Sequence, residues 1–243
     1  MTTPDHGPAL TQQQHAALHL AHRWFAFLEA PGGDLQDHLT LFHPEVRLTG
    51  RRGGYLFAQD HASLSAWLSA VPDAISSHHI VHSTYTTDEH GAGLLNMVVA
   101  YQAPGATGTH GSIISYETRI AFDAPLARFV MLDKTPILPN TRPQYAPSWA
   151  TNRVLALVHG TLAGLTAPNN DLVRALGGDV RHVHAEAMAT EGSHAYSAIV
   201  TTRGAHPAGI RVTHLALMDD VKGPVPTIER VALLDGGPQR QGG

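Results

Sequence analysis

His79-Ile80-Val81-His82 opens a β-rich stretch that closes at Arg128-Phe129-Val130-Met131-Leu132-Asp133, and the chain carries a second version of it. His182-Val183-His184 opens the later stretch and Arg230-Val231-Ala232-Leu233-Leu234-Asp235 closes it. His182 lies 103 residues after His79, and Asp235 lies 102 after Asp133. Between those ends, pairing Gly91-Ala92 with His194-Ala195 and Gly111 with Gly209 needs only small shifts. We read one ancestral unit that was duplicated and then drifted.

Working outward, the period-two pattern in the first stretch predicts four strands, at about Ser77 to Thr87, Leu94 to Gln102, Ser112 to Phe122 and Arg128 to Thr135. Turns fall at Asp88-Glu89-His90-Gly91, at Ala103 to Gly108 and at Asp123-Ala124-Pro125. Upstream the pattern is helical. Thr11-Gln12-Gln13-Gln14 fits a capping box. The helix that follows reaches about Ala30, with Ala17, Leu20, Ala21, Trp24, Phe27 and Leu28 on one face. His15, His19 and His22 fall on the other face and read as a solvated stripe. Asp34 caps a short helix from Leu35 to Phe42, which His43-Pro44 stops. Val46 to Thr49 and Tyr55 to Ala58 are two short strands joined by Arg51-Arg52-Gly53-Gly54. Asp60 caps a third helix to about Ala70.

Downstream, Pro136 to Pro147 contains four prolines. A domain boundary is expected there, with a first domain at 11–138, a linker at 139–148 and a second domain at 149–237. The second domain reads as a helix from Ala150 to Leu165 and a short helix from Asp171 to Leu176. Strands follow near Val180 to Thr190, Ala195 to Arg203, Ile210 to Met218 and Thr227 to Leu234. It lacks the hairpin and third helix of the first.

The bulk numbers exclude several classes. The chain has 243 residues, 43% hydrophobic and 15% charged, enough for packed cores and against global disorder. A net charge of −4 gives no electrostatic reason for nucleic acid or an anionic membrane surface. There is no cysteine, so thiolate catalysis and disulfides are out. No apolar run approaches the ~20 residues of a membrane span. Met1 to Pro8 has neither the basic start nor the apolar core of a signal peptide, so a cytoplasmic protein is expected. Histidine is the compositional outlier at 18 residues. However, His78 and His82 would stand ~13 Å apart along a strand, and His182 and His184 ~7 Å apart. Neither spacing suits one ion, and no metal site is expected. No phosphate-cradling glycine loop or nucleophile elbow occurs, and no cofactor is expected.

Helix, short helix, two short strands, helix, then a four-stranded antiparallel meander resembles the NTF2-like, or SnoaL-like, superfamily. Leu41-Phe42-His43-Pro44-Glu45-Val46-Arg47-Leu48 looks like that family's helix-to-strand junction, and His79 followed by Gly91-Ala92 like its central strand pair. The resemblance covers about Ala16 to Thr135 well and about Ala150 to Asp235 as a trimmed copy. It implies an α+β fold of two cone-shaped barrels in tandem, packed as an intramolecular pseudo-dimer, with further homodimerisation open. It also implies an apolar small-molecule pocket at the mouth of the first cone. Family members include isomerases, dehydratases, polyketide cyclases, epoxide hydrolases and binding modules without chemistry.

Carried onto this chain, His79 takes the place of the dehydratases' pocket histidine and would serve as acid and base. Tyr116 takes the place of a cavity-facing strand tyrosine that polarises a carbonyl oxygen. The competing reading is a sheet-face histidine bonded to its neighbours and a tyrosine that packs. His43 and Arg47 flank the junction and could reach the cavity mouth, where Arg47 would meet a carboxylate or enolate. Trp24, Tyr55 and Trp67 would wall the pocket. Two departures weigh against an enzyme. The place of the isomerases' basic aspartate is held by Gly50, after Thr49, and the aspartate expected two residues beyond Tyr116 is Thr118. Asp133, repeated as Asp235, reads as a turn cap. The expectation is a protein binding a small apolar molecule. It is either a cofactor-independent lyase, isomerase or cyclase using His79, or a non-catalytic binding or scaffold protein.

Overall fold

The computed structural model describes residues 10–29, 34–71, 76–105, 108–123, 126–141 and 149–165, together with the backbone of strands 180–190, 193–202, 209–216 and 227–234. Helix α1 spans Gln12–Glu29. Its start is the expected capping box: the Gln14 amide N–H donates to Thr11 Oγ1 at 3.2 Å, and Thr11 N–H donates to Gln14 Oε1 at 2.7 Å. Helix α2, Leu35–Leu39, is capped by the Asp34 carboxylate, which accepts from the N–H groups of Gln36 and Asp37. It stops earlier than the apolar pattern suggests. Strand β1, Phe42–Gly50, takes over because the strand Leu126–Thr141 offers a parallel partner: Phe42 lies beside Phe129, and Phe129 N–H donates to Leu41 O at 2.8 Å.

Strand β2, Tyr55–Ala58, returns antiparallel to β1, and helix α3, His61–Ser69, follows on an Asp60–Ser63 capping box. The meander is β3 (Ser77–Thr87), β4 (Gly93–Gly105), β5 (Gly108–Asp123) and β6 (Leu126–Thr141). These join β1 and β2 in a six-stranded mixed sheet of order β2-β1-β6-β5-β4-β3. Strand β6 runs on through Pro136 and Pro139 to Thr141, so the first residues of the expected linker belong to the sheet.

Helix α4 spans Trp149–Leu162, and strands β7 (Val180–Thr190), β8 (Ser193–Thr202), β9 (Gly209–Ala216) and β10 (Thr227–Leu234) form a second, separate antiparallel sheet of order β10-β9-β8-β7. The expected short helix from Asp171 to Leu176 lies outside the described residues. The architecture is α+β. Among the described residues no helix is long and apolar enough to cross a membrane.

Helix α1 lies on the inner face of the first sheet. Leu20, Trp24 and Phe25 bury against Leu95, Met97, Ile120, Phe129 and Leu132 in one core. Burying side chains of this size stabilises by about 1.5–3 kcal/mol each. The opposite face of α1 corrects the sequence reading. His15, His19 and His22 are not solvated; all three are buried. Helix α4 covers them, running antiparallel: His15 meets His159, His19 meets Ala156 and His22 meets Asn152. The spacing i, i+4, i+7 is the same on both helices, the signature of a straight helix–helix seam. Periodicity on one helix cannot tell such a polar seam from a wet face.

Candidate functional site

Strand β3 is an edge of the six-stranded sheet, and its outward backbone groups need partners. At His78 they are supplied by side chains. Glu29, at the end of α1, accepts from the His78 N–H, and the Asn152 amide donates to the His78 carbonyl at 2.8 Å. The same amide donates to Glu29 Oε1 at 2.8 Å, while Asn152 Oδ1 accepts from His22 Nδ1 at 2.7 Å. Glu29 is fully buried, which pushes its carboxyl up to about 8 against the opposing bonds from Asn152 and His78. It is therefore neutral at pH 7. With Oε1 already accepting twice, Oε2, which has no partner among the described residues, is left to carry the proton.

Burial also lowers the histidines, to about 4 at His15, His19 and His22 and about 3 at His78. They are neutral at pH 7. The His78 ring packs parallel to Phe25 with centroids 5.1 Å apart and lies 5.0 Å from Tyr101. Sequence reasoning placed none of this network. The residues that carry it come from α1, β3 and α4, far apart in the chain.

The two expected catalytic residues do not converge. Residues paired across a ladder share a face. His79 pairs with Ala100, and Tyr116 pairs with Met97. Met97 and Ala100 are three apart on one strand, so they face opposite ways. Tyr116 points inward, 2% exposed, its ring edge on Phe25 at 5.2 Å. Its hydroxyl is pushed up by burial. His79 stands half-buried on the other face, its Nε2 2.7 Å from Ser77 Oγ. Burial lowers its pKa.

The remaining expected residues divide. Trp24 is fully buried and Trp67 half-buried, and their rings stack at 6.1 Å. Tyr55 is exposed, beside Phe57 at 4.6 Å. Arg47 is exposed between the buried Val46 and Leu48, so it points away from the core. His43 accepts from the Glu45 N–H at 3.2 Å through Nδ1.

What lines the inner face beyond Trp24 is a column of near-parallel rings: Phe27 on His38 at 3.9 Å, His38 on Trp24 at 5.6 Å, Trp24 on Trp67 at 6.1 Å. Lys134, paired across the ladder with Tyr116, closes the column, its Nζ 4.6 Å from the ring centres of both Trp67 and Phe57. Among the described residues no carboxylate pairs with it. Burial lowers its pKa. Trp24 Nε1 and His38 Nε2 are buried without a hydrogen-bond partner among the described residues. Lys134 and His38 escaped the sequence reading. Lys134 directly follows the Asp133 that drew attention, and its inward direction depends on a register that no single strand reveals.

Both missing carboxylates have a structural counterpart. A Cβ on Gly50 would stand 2.6 Å from the Phe57 ring, which fills that space. Thr118 is buried and its hydroxyl donates to Leu95 O at 2.8 Å. Asp133 Oδ2 accepts from Thr49 Oγ1 at 2.7 Å and Gly53 N–H at 2.8 Å, and Oδ1 from Thr135 Oγ1 at 2.8 Å and Arg52 N–H at 3.2 Å. It thus ties down a turn in which Arg51 and Arg52 both have positive φ, at 54° and 56°. Among the described residues no group of three or more histidines or carboxylates is placed to hold a metal ion.

No family model matches the chain, and no curated protein matches it. Solved structures resemble about half of it. A putative scytalone dehydratase from Novosphingobium aromaticivorans is 10% identical, with a TM-score of 0.46 over 56% of this chain and 90% of its own. The hub of a CaMKII from S. rosetta is 13% identical, with a TM-score of 0.44 over 54% of this chain and 97% of its own. An NTF2-like protein with a cystatin-like fold, also from Novosphingobium aromaticivorans, is 11% identical, with a TM-score of 0.44 over 51% and 81%. At these values nothing about chemistry passes from them to this chain.

Proposed function

We propose that the first unit binds a small, largely apolar molecule with one anionic or hydrogen-bonding end, without turning it over. The observation that carries this reading is the inward ammonium of Lys134, seated on Phe57 and Trp67 without a carboxylate partner among the described residues. A cation so placed gains from an anion on its open side, since burial has already removed part of its water. Trp24 Nε1 and His38 Nε2, without a hydrogen-bond partner among the described residues and further along the same column, offer a second polar contact. The non-catalytic reading is favoured over a lyase, isomerase or cyclase because His79 and Tyr116 face opposite sides of the sheet.

The test is a thermal-shift screen of aromatic carboxylates and phenols on the wild type, Lys134→Met and Trp67→Ala. A carboxylate that stabilises the wild type and loses most of that effect in Lys134→Met supports the reading. A ligand whose stabilisation is the same in all three proteins would remove the column from the site.

The tandem architecture belongs to the same proposal. Helix α4 begins 137 residues after α1, and with that offset His15 corresponds to Asn152, His19 to Ala156 and His22 to His159. The contacts join the first position to the third, the second to the second and the third to the first. A two-fold relation between copies produces this self-complementary pattern. It supports a pseudo-dimer joined through first helices rather than outer sheet faces. The cytoplasm and further homodimerisation complete the reading.

A further inference from the structure

The chain carries two lysines, Lys134 and Lys222, against fourteen arginines. A guanidinium keeps its proton in proteins and stacks well on aromatic rings, so arginine is the ordinary choice for a cation held among them. The place on Phe57 and Trp67 is instead held by one of the two lysines. An ammonium differs from a guanidinium in one respect that matters there. It can give up a proton and become a nucleophile.

The surroundings of Lys134 favour that change. A carboxylate beside an ammonium stabilises the charged form, and none among the described residues pairs with Lys134. Desolvation therefore acts unopposed, and burial lowers the pKa. Lys134, Phe57 and Trp67 are each half-buried, so the group lies at the rim of the core and is not sealed within it. The two rings form a wedge, inclined at 57° with centroids 5.8 Å apart, and the Lys134 Nζ is 4.6 Å from both centres. A ring attached to that nitrogen starts in contact with aromatic surface.

We propose that, given a ligand site at this column, Lys134 captures aromatic aldehydes as a reversible Schiff base, so that the hydrogen-bonding end of the ligand is a carbonyl. The amine lone pair attacks the carbonyl carbon, and a proton passes from nitrogen to oxygen to give a carbinolamine. The C–O bond then breaks, and the hydroxyl leaves as water with a proton from solvent. The nitrogen is left as a protonated imine. From ammonium and aldehyde the sum is iminium and water, with no oxidant, reductant or second substrate. The positive charge is conserved, so its attraction to the Phe57 and Trp67 rings survives the reaction. The aldehyde is held and not turned over.

Reductive trapping on the full chain tests this. The probe is 2-naphthaldehyde with cyanoborohydride, which reduces the protonated imine to a stable amine. Peptide mass spectrometry reads the adduct at Lys134, Lys222 and the amino terminus. The expected result is labelling of Lys134 roughly tenfold or more faster than Lys222 in the native protein, with the advantage gone in urea. Labelling of Lys134 no faster than Lys222 overturns the proposal. Trp67→Ala should cut the advantage, and an advantage left whole would also overturn the proposal, because the rings would play no part. Thermal shift with 2-naphthoate on the wild type and Lys134→Met scores the ligand site separately. A shift that needs Lys134, without preferential labelling, sinks the Schiff base and leaves the site standing. Preferential labelling without that shift supports the Schiff base and removes the anion.

Discussion

Asn152 and Glu29 are joined across the α1–α4 seam by a 2.8 Å bond from the amide to Oε1, and each also holds one backbone group of His78. Asn152 and Glu29 together thus tie α4, α1 and the open edge of β3 to one another. Replacing it with alanine strands the His22 donor and the His78 carbonyl in buried surroundings and takes one donor from Glu29. A loss of about 2–4 kcal/mol is expected. Urea denaturation should show a lower midpoint. A change below about 0.5 kcal/mol would mean that water replaces the amide without cost.

The pH dependence of stability has two limbs of opposite sign. For the buried histidines the folded pKa is lowered, from 6.5 to about 4 at His15, His19 and His22 and about 3 at His38 and His78. Their contribution is present above 6.5 and is lost as pH falls toward 4. For Glu29 the folded pKa is raised from 4.5 to about 8, so its contribution is present below 4.5 and is lost as pH rises through 8. Between 4.5 and 6.5 these five histidines oppose Glu29, and above 6.5 Glu29 acts without them. Stability should peak near pH 6.5, and Tm measured every half unit from 4 to 9 checks it. In Glu29→Gln, a near isostere of the protonated acid, the decline between 6.5 and 8 should vanish. A decline that persists would remove Glu29 as its source.

Gly50 is required by its neighbour. A methyl group there meets the Phe57 ring at 2.6 Å and the Lys134 carbonyl at 3.1 Å. Gly50→Ala should cost about 1–3 kcal/mol as Phe57 is pushed off β1. Because Phe57 carries Lys134, the same substitution should weaken binding of any carboxylate found in the screen. Thermal melts and titration of that carboxylate measure both. A variant as stable as the wild type would show that β2 shifts freely.

Much of the fold was legible. Thr11, Asp34 and Asp60 announced their helices by side-chain capping, and the period-two pattern from Ser77 onward placed four strands, the last of which runs on past the expected Thr135 to Thr141. These are local signals. The site was less legible because it depends on register and on faces. His79 and Tyr116 sit on strands placed correctly, yet a three-residue difference along β4 sets them on opposite sides. His15, His19 and His22 had the right spacing and the wrong surroundings, since what covers a polar face is decided by another element. The matching spacing of 152, 156 and 159 on α4 was the signal available, and it required reading the two helices together.

Asp133 is the firmest structural reading to test. Its carboxylate takes four bonds, from Thr49, Thr135, Arg52 and Gly53, and so holds the turn between β1 and β2 against two arginines in the left-handed region. Burial alone would raise its pKa, but the bonds from Thr49, Thr135, Gly53 and Arg52 outweigh it and hold the group below 3.8. Its contribution is therefore present above pH 3.8 and is lost as pH falls through the lower folded value. Asp133→Asn keeps one accepting oxygen and turns the other into a donor facing donors. It should cost about 1–3 kcal/mol at pH 7. At pH 3 the difference from the wild type should shrink, because below 3.8 the unfolded carboxyl takes up a proton that the bonded carboxylate resists, and part of its stabilisation is lost. Equal gaps at both pH values in urea denaturation would show that the carboxylate charge plays no part in holding the turn.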